Sequence, residues 1–372
     1  MKKFLKIAVL VAVVLAVATW CVFQLPQFGG TFEGERLARM QRSPEFINGR
    51  FQNVPPQQTD NSLRKMYRLY TQGQIREPQF AVPVLDVSLE RPPSRELQAV
   101  WLGHASVLVE LDGVRILTDP VLSDYASPVP PLGPKRLHRP PIAIPDLKSV
   151  DAVVISHDHY DHLDLETTRQ LARNGTHFFV PLGVGAHLER WHVPSAQIHE
   201  MDWWESTPFQ GITIHCTPTR HYSGRKRMDN STLWSSWFIK GTRSVYFSGD
   251  TGYAPHFREI RRRLGAVDLT LLKVGAYGET WLDIHMDPES AVRAHRDLGG
   301  HTMLPVHWAT FNLSYHAWEE PIVRTLAAAQ REHIDVITPR PGEPYAFGRP
   351  FRNTDWFRRL PSRASGRDRL PH

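Results

Sequence analysis

Three imidazoles and two carboxylates occur within six consecutive residues, His157-Asp158-His159-Tyr160-Asp161-His162. This run directly follows the apolar stretch from Asp151 to Ser156, a pattern typical of a buried strand. The side chains can converge only if the backbone turns as it leaves that strand. Neutral imidazole with carboxylate suits borderline divalent metals such as zinc. The spacing therefore predicts a metal site and favours a pair of metals over a solvated histidine-rich turn.

Four further residues supply the same donor types where a strand is expected to end. His221, Asp250 and His307 each follow a predicted strand, and His285 opens the run His-Met-Asp-Pro. Taken singly, Asp250 suits a turn and His307 suits a core histidine. Strands that end at one edge of a sheet would bring all four together. Jointly they complete the coordination that HxHxDH leaves unfinished.

The pattern of apolar residues predicts a β-rich first half followed by alternating strands and helices. Residues 29–93 are polar and proline-containing, so we expect an irregular arm with short helices. Leu97 to Val109 and Val114 to Leu117 predict a hairpin that turns at Asp112-Gly113. A long proline-rich loop is expected over 127–145. Helices are predicted over 165–174, 183–191, 257–264, 288–298 and 321–332, and strands over 177–180, 211–217, 235–240, 244–248, 269–274 and 302–305. This order suggests packed sheets with helices outside.

Composition sets wide bounds. The 372 residues are 41% hydrophobic, enough to bury a large core as one large domain or two ordinary ones. The formal charge of +6 favours anionic neighbours without choosing among phospholipid, nucleic acid and counterions. Cys21 and Cys216 are not expected to pair, because Cys21 lies in an apolar N-terminal run.

That N-terminal run predicts a membrane anchor. Lys2, Lys3 and Lys6 precede the uncharged stretch Ile7 to Leu25. As a helix this stretch would be about 28 Å long, close to the roughly 30 Å of a bilayer core. A signal peptide cleaved after Ala18 is the rival interpretation, but the apolar character continues to residue 23. We therefore expect an uncleaved anchor with its lysines in the cytoplasm and the body outside it, on the periplasmic side in a bacterium.

Several longer motifs surround the candidate ligands. HxHxDH alone is typical of a whole superfamily, whereas His-Met-Asp-Pro-Glu and His-Trp-Ala-Thr-Phe are more specific. Together the motifs resemble the metallo-β-lactamase fold superfamily, and within it the branch of N-acylphosphatidylethanolamine-hydrolysing phospholipases D. The resemblance extends over about 97–347. The matching segments are Trp101 to Ser106, Leu117 to Pro120, Gly133 to Arg136, Ser156 to Asp164, Ser248 to Tyr253, Gly275 to Tyr277, His285 to Val292 and Val306 to Phe311.

The resemblance implies a fold and a domain organisation. The fold would be an α/β metallo-β-lactamase αββα sandwich, preceded by the N-terminal membrane anchor. The segments would be an anchor or signal over 1–28, an arm packing on the core over 29–93, the hydrolase domain over 94–350 and a basic C-terminal tail over 351–372. The anchor departs from the animal enzymes of this branch.

The resemblance also implies two zinc ions per chain and assigns their ligands. His157, His159 and His221 would hold the first ion, Asp161, His162 and His307 the second, and Asp250 would bridge them. Substrate contact near the phosphate is assigned to Tyr160 and His285. We interpret His104, Asp119 and Asp164 as residues that orient the metal ligands by hydrogen bonds.

The chemistry implied is hydrolysis of a phosphodiester. Two cations would lower the pKa of a bridging water, and the resulting hydroxide would attack phosphorus. The substrate suggested by the branch is an N-acylphosphatidylethanolamine, cleaved to phosphatidic acid and an N-acylethanolamine. Asp161, Asp250 and His285 are the candidate catalytic residues. For the leaving alkoxide, a metal-bound water, Tyr160 or His285 is a more plausible proton source than Asp161, which is a ligand.

Other functions stay open at the level of sequence. A metal-dependent lactonase or another small-molecule hydrolase is compatible with the same fold, since fold does not decide substrate. A nuclease is compatible with the basic charge, but no nucleic-acid partner is expected for a body outside the cytoplasm. A tethered metal-binding protein with a degenerate site is disfavoured by the complete ligand set. The expected partners are a phospholipid substrate and the membrane, and a homodimer is left open.

Overall fold

The chain begins with a long helix and an arm of short elements. The computed structural model describes residues 2–60, 62–71 and 73–358. The first elements are α1 (Lys2–Phe23), α2 (Gly34–Met40), the paired strands β1 (Phe46–Ile47) and β2 (Arg50–Phe51), and α3 (Leu63–Thr71). The part of the predicted C-terminal tail from residue 359 onward lies outside the described residues.

Helix α1 is long and apolar enough to cross a membrane. The span Phe4–Phe23 has a mean hydropathy of 2.5, and none of its most apolar window is buried against the described part of the protein. These are properties of length and composition, and an N-terminal signal sequence shares them. The helix is therefore a candidate anchor.

Two β-sheets lie at the centre of the molecule. The strands of the first sheet are β3 (Gln98–Gly103), β4 (Ser106–Leu111), β5 (Val114–Thr118), β6 (Ala152–Val154), β7 (His177–Pro181), β8 (Ile198–Met201) and β16 (Pro344–Ala346). Their spatial order is β16-β3-β4-β5-β6-β7-β8. The pairs from β16 to β5 are antiparallel, and those from β5 to β8 are parallel.

The second sheet has the same mixed character. Its strands are β9 (Ser206–Phe209), β10 (Ile212–Thr217), β11 (Ser236–Lys240), β12 (Ser244–Phe247), β13 (Val267–Lys273), β14 (Gly300–Val306) and β15 (Asp335–Val336). They follow one another in space in chain order. Pairing is antiparallel from β9 to β12 and parallel from β12 to β15.

Alternate side chains of β4 enter two different cores. On β4, Val107, Val109 and Leu111 point into the core between the two sheets, whereas Leu108 joins the core beneath the outer helices. This follows from the two-residue period of an extended chain. Burying one such aliphatic side chain contributes about 1.5–3 kcal/mol, so the continuous apolar runs in these strands favour a doubly covered sheet.

Helices cover both outer faces. The first sheet carries α4 (Leu165–Arg173) and α5 (Gly185–Arg190), and the second carries α6 (His256–Leu264), α7 (Pro288–Leu298) and α8 (Glu320–Glu332). The start of α7 is set by Asp287, whose carboxylate accepts a hydrogen bond from the amide of Ser290, and by Pro288 at the first position. Gly299 ends it in the left-handed conformation. The arrangement is an αββα sandwich, as predicted.

Most of the predicted elements are confirmed, including helix 288–298 at both ends. The prediction of one long strand over 97–109 is wrong, because Gly103 and His104 have positive φ angles of 107° and 52° and turn the chain between β3 and β4. The turn at Asp112-Gly113 is confirmed by the pairing of Leu111 with Val114. Strands β8, β9, β15 and β16 were not predicted. Cys21 and Cys216 are unpaired, as expected.

Candidate metal centre

The candidate ligands come from loops that follow four strands. The run 157–162 follows β6, His221 follows β10, Asp250 follows β12 and His307 directly follows β14. Gly249 has a φ of 52°, and a Cβ there would lie 2.3 Å from the Cβ of Ser156. Glycine therefore lets the end of β12 approach the end of β6, which brings Asp250 against the histidines.

Three imidazoles form a first pocket. His159 Nδ1 lies 2.8 Å from His157 Nε2 and 3.3 Å from His221 Nε2. His221 Nδ1 faces the carbonyl of Ile284 at 3.1 Å and must donate its proton there, which leaves a lone pair on Nε2. Burial lowers the pKa of His221 to about 3, and burial, reinforced by the neighbouring histidines, holds the pKa of His157 well below its usual value. Neutral nitrogens that face one another in this way fit a shared cation.

A second pocket combines a carboxylate with two imidazoles. Asp161 Oδ2 lies 3.3 Å from His162 Nε2 and 3.4 Å from His307 Nε2, and the two nitrogens are 3.2 Å apart. His162 Nδ1 is 2.6 Å from the buried carboxylate of Asp119, so the proton on Nδ1 faces Asp119 and Nε2 faces the pocket. These donors also fit a divalent cation.

Asp250 lies between the two pockets. Its Oδ2 is 3.3 Å from His162 Nε2 and 3.9 Å from His221 Nε2, and its Oδ1 is 3.1 Å from His307 Nε2. The carboxyl group is only 2% exposed. Despite burial, the neighbouring histidines hold the pKa of Asp250 well below its usual range. An ionised carboxylate placed between two clusters of nitrogen donors is suited to bridge two cations.

The ionised carboxylates of this histidine and aspartate cluster also favour a bound cation. Burial opposes ionisation of Asp161, yet His162 and further hydrogen bonds hold its pKa well below the usual range. Burial likewise opposes a charge on His162, but Asp250 and Asp161 raise its pKa well above the usual value. The buried carboxylate of Asp250 and the partly buried one of Asp161 therefore favour a nearby positive charge, and a divalent metal would supply it better than one imidazolium.

Hydrogen bonds from outside the pockets orient the ligands. His104 Nε2 is 3.0 Å from Asp161 Oδ2, and the Asp119 carboxylate contacts His162. Asp164 does not touch a predicted ligand but caps α4 by accepting from the amide of Thr167. His104, Asp119 and His307 have positive φ angles of 52°, 32° and 66°. Such strain costs of order 1–3 kcal/mol per residue and is typical of functional sites.

A cavity of about 550 Å³ opens above the two pockets. His159, Asp161, Asp250 and His285 line it, together with the aromatic and apolar side chains of Tyr222, Met228, Ile284, Trp281 and Leu313. His285 Nε2 lies 3.4 Å from Asp250 Oδ2. Among the described residues, no hydrogen-bond partner reaches the buried Nδ1 of His285.

The predicted substrate contact at Tyr160 has a different placement. Its hydroxyl donates to the carbonyl of Arg225 at 2.8 Å, and its ring stacks on that guanidinium at 4.1 Å. Tyr160 is not among the residues that line the cavity, whereas Tyr222 is. The sequence interpretation missed Tyr222, although it directly follows the ligand His221. It also missed Lys273, a charge within the apolar strand β13, whose fully buried ammonium donates to the carbonyl of Met286 at 3.3 Å.

Residues 114–308, slightly more than half of the chain, match the beta-lactamase superfamily domain. The chain belongs to this superfamily. The superfamily match and the donor set together establish a metal-dependent hydrolase.

Relatives of this superfamily member extend the comparison. An uncharacterized protein of Mycobacterium tuberculosis is 43% identical over 357 residues, covering 92% of this chain and 96% of that protein. The N-acyl-phosphatidylethanolamine-hydrolyzing phospholipase D 1 of Caenorhabditis elegans is 39% identical over 229 residues, covering 58% of this chain and 64% of that enzyme. The structure of Igni18, a metallo hydrolase from the archaeon Ignicoccus hospitalis, has a TM-score of 0.52 at 25% identity, covering 68% of this chain and 99% of its own.

Proposed function

We propose that the protein is a zinc-dependent phosphodiesterase of the phospholipase D type. It would hydrolyse N-acylphosphatidylethanolamine to phosphatidic acid and an N-acylethanolamine. The observation that carries the proposal is a pair of adjoining clusters of histidine and aspartate donors beside a cavity lined by both polar and apolar side chains. The N-acyl-phosphatidylethanolamine-hydrolyzing phospholipase D 1 of C. elegans supports the choice of substrate, although this chain covers only 64% of the length of that enzyme.

Zinc is proposed because imidazole donors predominate in both pockets and carboxylates complete the set, a combination that suits zinc. His157, His159 and His221 would hold one ion, the group Asp161, His162 and His307 would hold the other, and Asp250 would be shared. Seven side chains exceed what one four-coordinate zinc requires, so two ions per chain are expected. When bound, the ions would activate a water and polarise a phosphoryl oxygen.

The protein's own side chains would arrange the remaining chemistry. The oxygen of water forms a bond to phosphorus, the bond from phosphorus to the ethanolamine-side oxygen breaks, and that leaving oxygen takes up a proton. His285 is placed to hold or supply this proton, because its ring faces the cavity beside Asp250. Tyr222 lines the same wall and is suited to contact the phosphate. Met228, Trp281 and Leu313 would exclude water around the acyl chains.

A lipid substrate agrees with where the candidate anchor joins the body. Just beyond α1, the carbonyl of Pro26 accepts a hydrogen bond from Trp191 Nε1 at 2.7 Å, and that of Gln27 accepts one from Arg225 Nε at 2.7 Å. Arg225 belongs to the loop 223–230, whose Met228 is 79% exposed and lines the cavity. A loop that lines the cavity is thus hydrogen-bonded to the segment that follows α1. We propose that α1 anchors the chain in the membrane and that the body, outside the cytoplasm, takes its substrate from the same bilayer.

The proposal is tested with full-length, zinc-loaded protein and N-acylphosphatidylethanolamine in detergent micelles made with heavy-oxygen water. The expected result is one heavy oxygen in phosphatidic acid and none in the N-acylethanolamine. Parallel assays use simple lactones and RNA. Rapid opening of lactones with phospholipid left intact would replace the phospholipase proposal with the lactonase alternative, and cleavage of RNA alone would replace it with the nuclease.

A further inference from the structure

Residues 24–30 connect α1 to the body of the protein and accept hydrogen bonds from its side chains. Arg190 Nη2 donates to the carbonyl of Gln24 at 3.2 Å, in addition to the hydrogen bonds that Pro26 and Gln27 accept from Trp191 and Arg225. We call residues 24–30 the juxtamembrane segment. Its backbone is fixed at three carbonyls, which implies a defined position against the body.

Two glycines let this segment lie directly on the surface of α5. A Cβ on Gly29, whose φ is 82°, would lie 2.2 Å from His187 Nδ1. A Cβ on Gly30 would lie 2.2 Å from the carbonyl oxygen of Ala186. Any larger residue would force the backbone away at both positions, so the sequence is specialised for this close contact.

Arg225 connects the juxtamembrane segment to the loop that carries metal ligands. While Nε contacts Gln27, Nη1 donates to the carbonyl of Asp158 at 2.7 Å and to that of Leu163 at 3.0 Å. These two carbonyls bracket residues 159–162, which include three of the predicted ligands. The guanidinium is buried and stacks on the ring of Tyr160, within the same loop.

His187 makes a second connection to the same place. Its Nδ1 accepts a hydrogen bond from the amide of Gly30 at 3.0 Å, so its other ring nitrogen carries the proton. That nitrogen, Nε2, faces Asp158 Oδ2 at 3.3 Å, while Asp158 Oδ1 accepts from the amide of Gly224 at 2.7 Å. Asp158 is the carboxylate of the HxHxDH run that has no part in either metal pocket, and these contacts explain its presence.

We propose that Arg225 is a positioning residue that couples the juxtamembrane segment to the metal centre. It fixes both ends of the ligand loop, and the segment in turn fixes Arg225. Docking of the juxtamembrane segment therefore helps to give the ligand loop its metal-binding geometry. The inference rests on the metal centre of the proposed function but not on the identity of the substrate.

The test measures metal affinity in full-length protein by competition with a chromophoric zinc chelator. Arg225→Met removes every donor, and Arg225→Lys keeps the charge but cannot contact Gln27, Asp158 and Leu163 together. We expect Arg225→Met to weaken zinc binding at least about tenfold, as is usual when groups that orient ligands are lost. Arg225→Lys should lie between it and the wild type. For a soluble phosphodiester such as bis(4-nitrophenyl) phosphate, kcat should fall with little change in KM.

Arg190→Met is the matched control, because Arg190 contacts the same segment without reaching the ligand loop. It should change zinc affinity much less than Arg225→Met does. The contribution of the segment itself is tested with Phe28→Ala, since Phe28 is buried and packs edge-on against Tyr160 at 6.5 Å. Phe28→Ala should also weaken zinc binding, and its effect should be smaller in the Arg225→Lys background, because both changes act on one loop.

Two results would overturn the proposal. One is an Arg225→Lys variant that is folded by circular dichroism and binds zinc as tightly as the wild type. This result would count against the proposal even if Arg225→Met fails to fold. The other is strict additivity of Phe28→Ala and Arg225→Lys. Failure of the phospholipase assay with normal zinc binding in the wild type would instead count only against the substrate.

Discussion

Replacement of Asp119 by asparagine tests how the fold prepares both metal pockets. Asp119 is fully buried, and its Oδ2 lies 2.6 Å from His162 Nδ1 and 2.5 Å from Ser156 Oγ. Ser156 Oγ in turn lies 2.9 Å from His157 Nδ1. One carboxylate thus sets the proton on Nδ1 of a histidine in each pocket, which leaves Nε2 of both free to bind metal.

An asparagine retains the shape of the side chain but reverses part of this network. Its Oδ1 can still accept from the amide of Ser156, which donates to Asp119 at 2.6 Å. Its amide nitrogen would then face Ser156 Oγ and His162 Nδ1 as a donor. His162 would have to present a lone pair on Nδ1 and carry its proton on Nε2, which is the atom that faces the metal pocket. The wrong tautomer cannot act as a ligand.

We expect Asp119→Asn to lower metal affinity by about 10- to 100-fold, which corresponds to about 1.4–2.8 kcal/mol. The assay is zinc titration against a chelator, with metal content checked by elemental analysis. Asp164→Asn is the control, because Asp164 lies at the end of the same loop but caps α4, a role that asparagine fills equally well. If Asp119→Asn binds zinc as tightly as Asp164→Asn, the tautomer argument is refuted.

Three further predictions follow from the site and its surroundings. Asp250→Ala should bind fewer than about two zinc ions per chain and lose more than about 100-fold in activity with circular dichroism unchanged, because it removes the ligand that both pockets share. Near-normal turnover would show that Asp250 only forms a turn. His285→Ala should keep its zinc and lose about 100-fold or more in kcat, since it lines the cavity and supplies or holds a proton; loss of metal instead would make His285 a ligand. Burial lowers the pKa values of His104, His138 and His256 to about 3, so from pH 6.5 downward the unfolded chain binds protons that the folded chain does not, and stability falls with acidification. Between pH 7 and 5 each such histidine should lower the unfolding free energy of the metal-free protein by up to about 2 kcal/mol. The raised pKa of His162 opposes this loss. Urea denaturation that gives equal or greater stability at pH 5 would contradict the prediction.

The local sequence determined the elements whose signals are short-range. Helix α7 was predicted to the residue, because Asp287 and Pro288 start it and Gly299 ends it within one continuous segment. The donor residues also followed from the sequence, since apolar runs that end in His or Asp need no knowledge of distant partners. The αββα order was implied by the family resemblance, and the pattern of apolar residues alone indicated only packed sheets with helices outside. Edge strands such as β8 and β15 were missed, because their pairing with a neighbouring strand, rather than their own pattern, makes them strands.

Tertiary structure alone decided which side chains face the cavity and which stabilise the loop. The turn at Gly103-His104 brings His104 to Asp161, a contact between residues 57 positions apart. Tyr160 lies inside the ligand run, yet its ring stacks on Arg225, whereas Tyr222 faces the cavity. Arg225 itself has no local motif, and its role depends on Gln27, 198 residues away in the chain. Sequence patterns report what a residue can do chemically, but its direction depends on contacts between segments that only folding brings together.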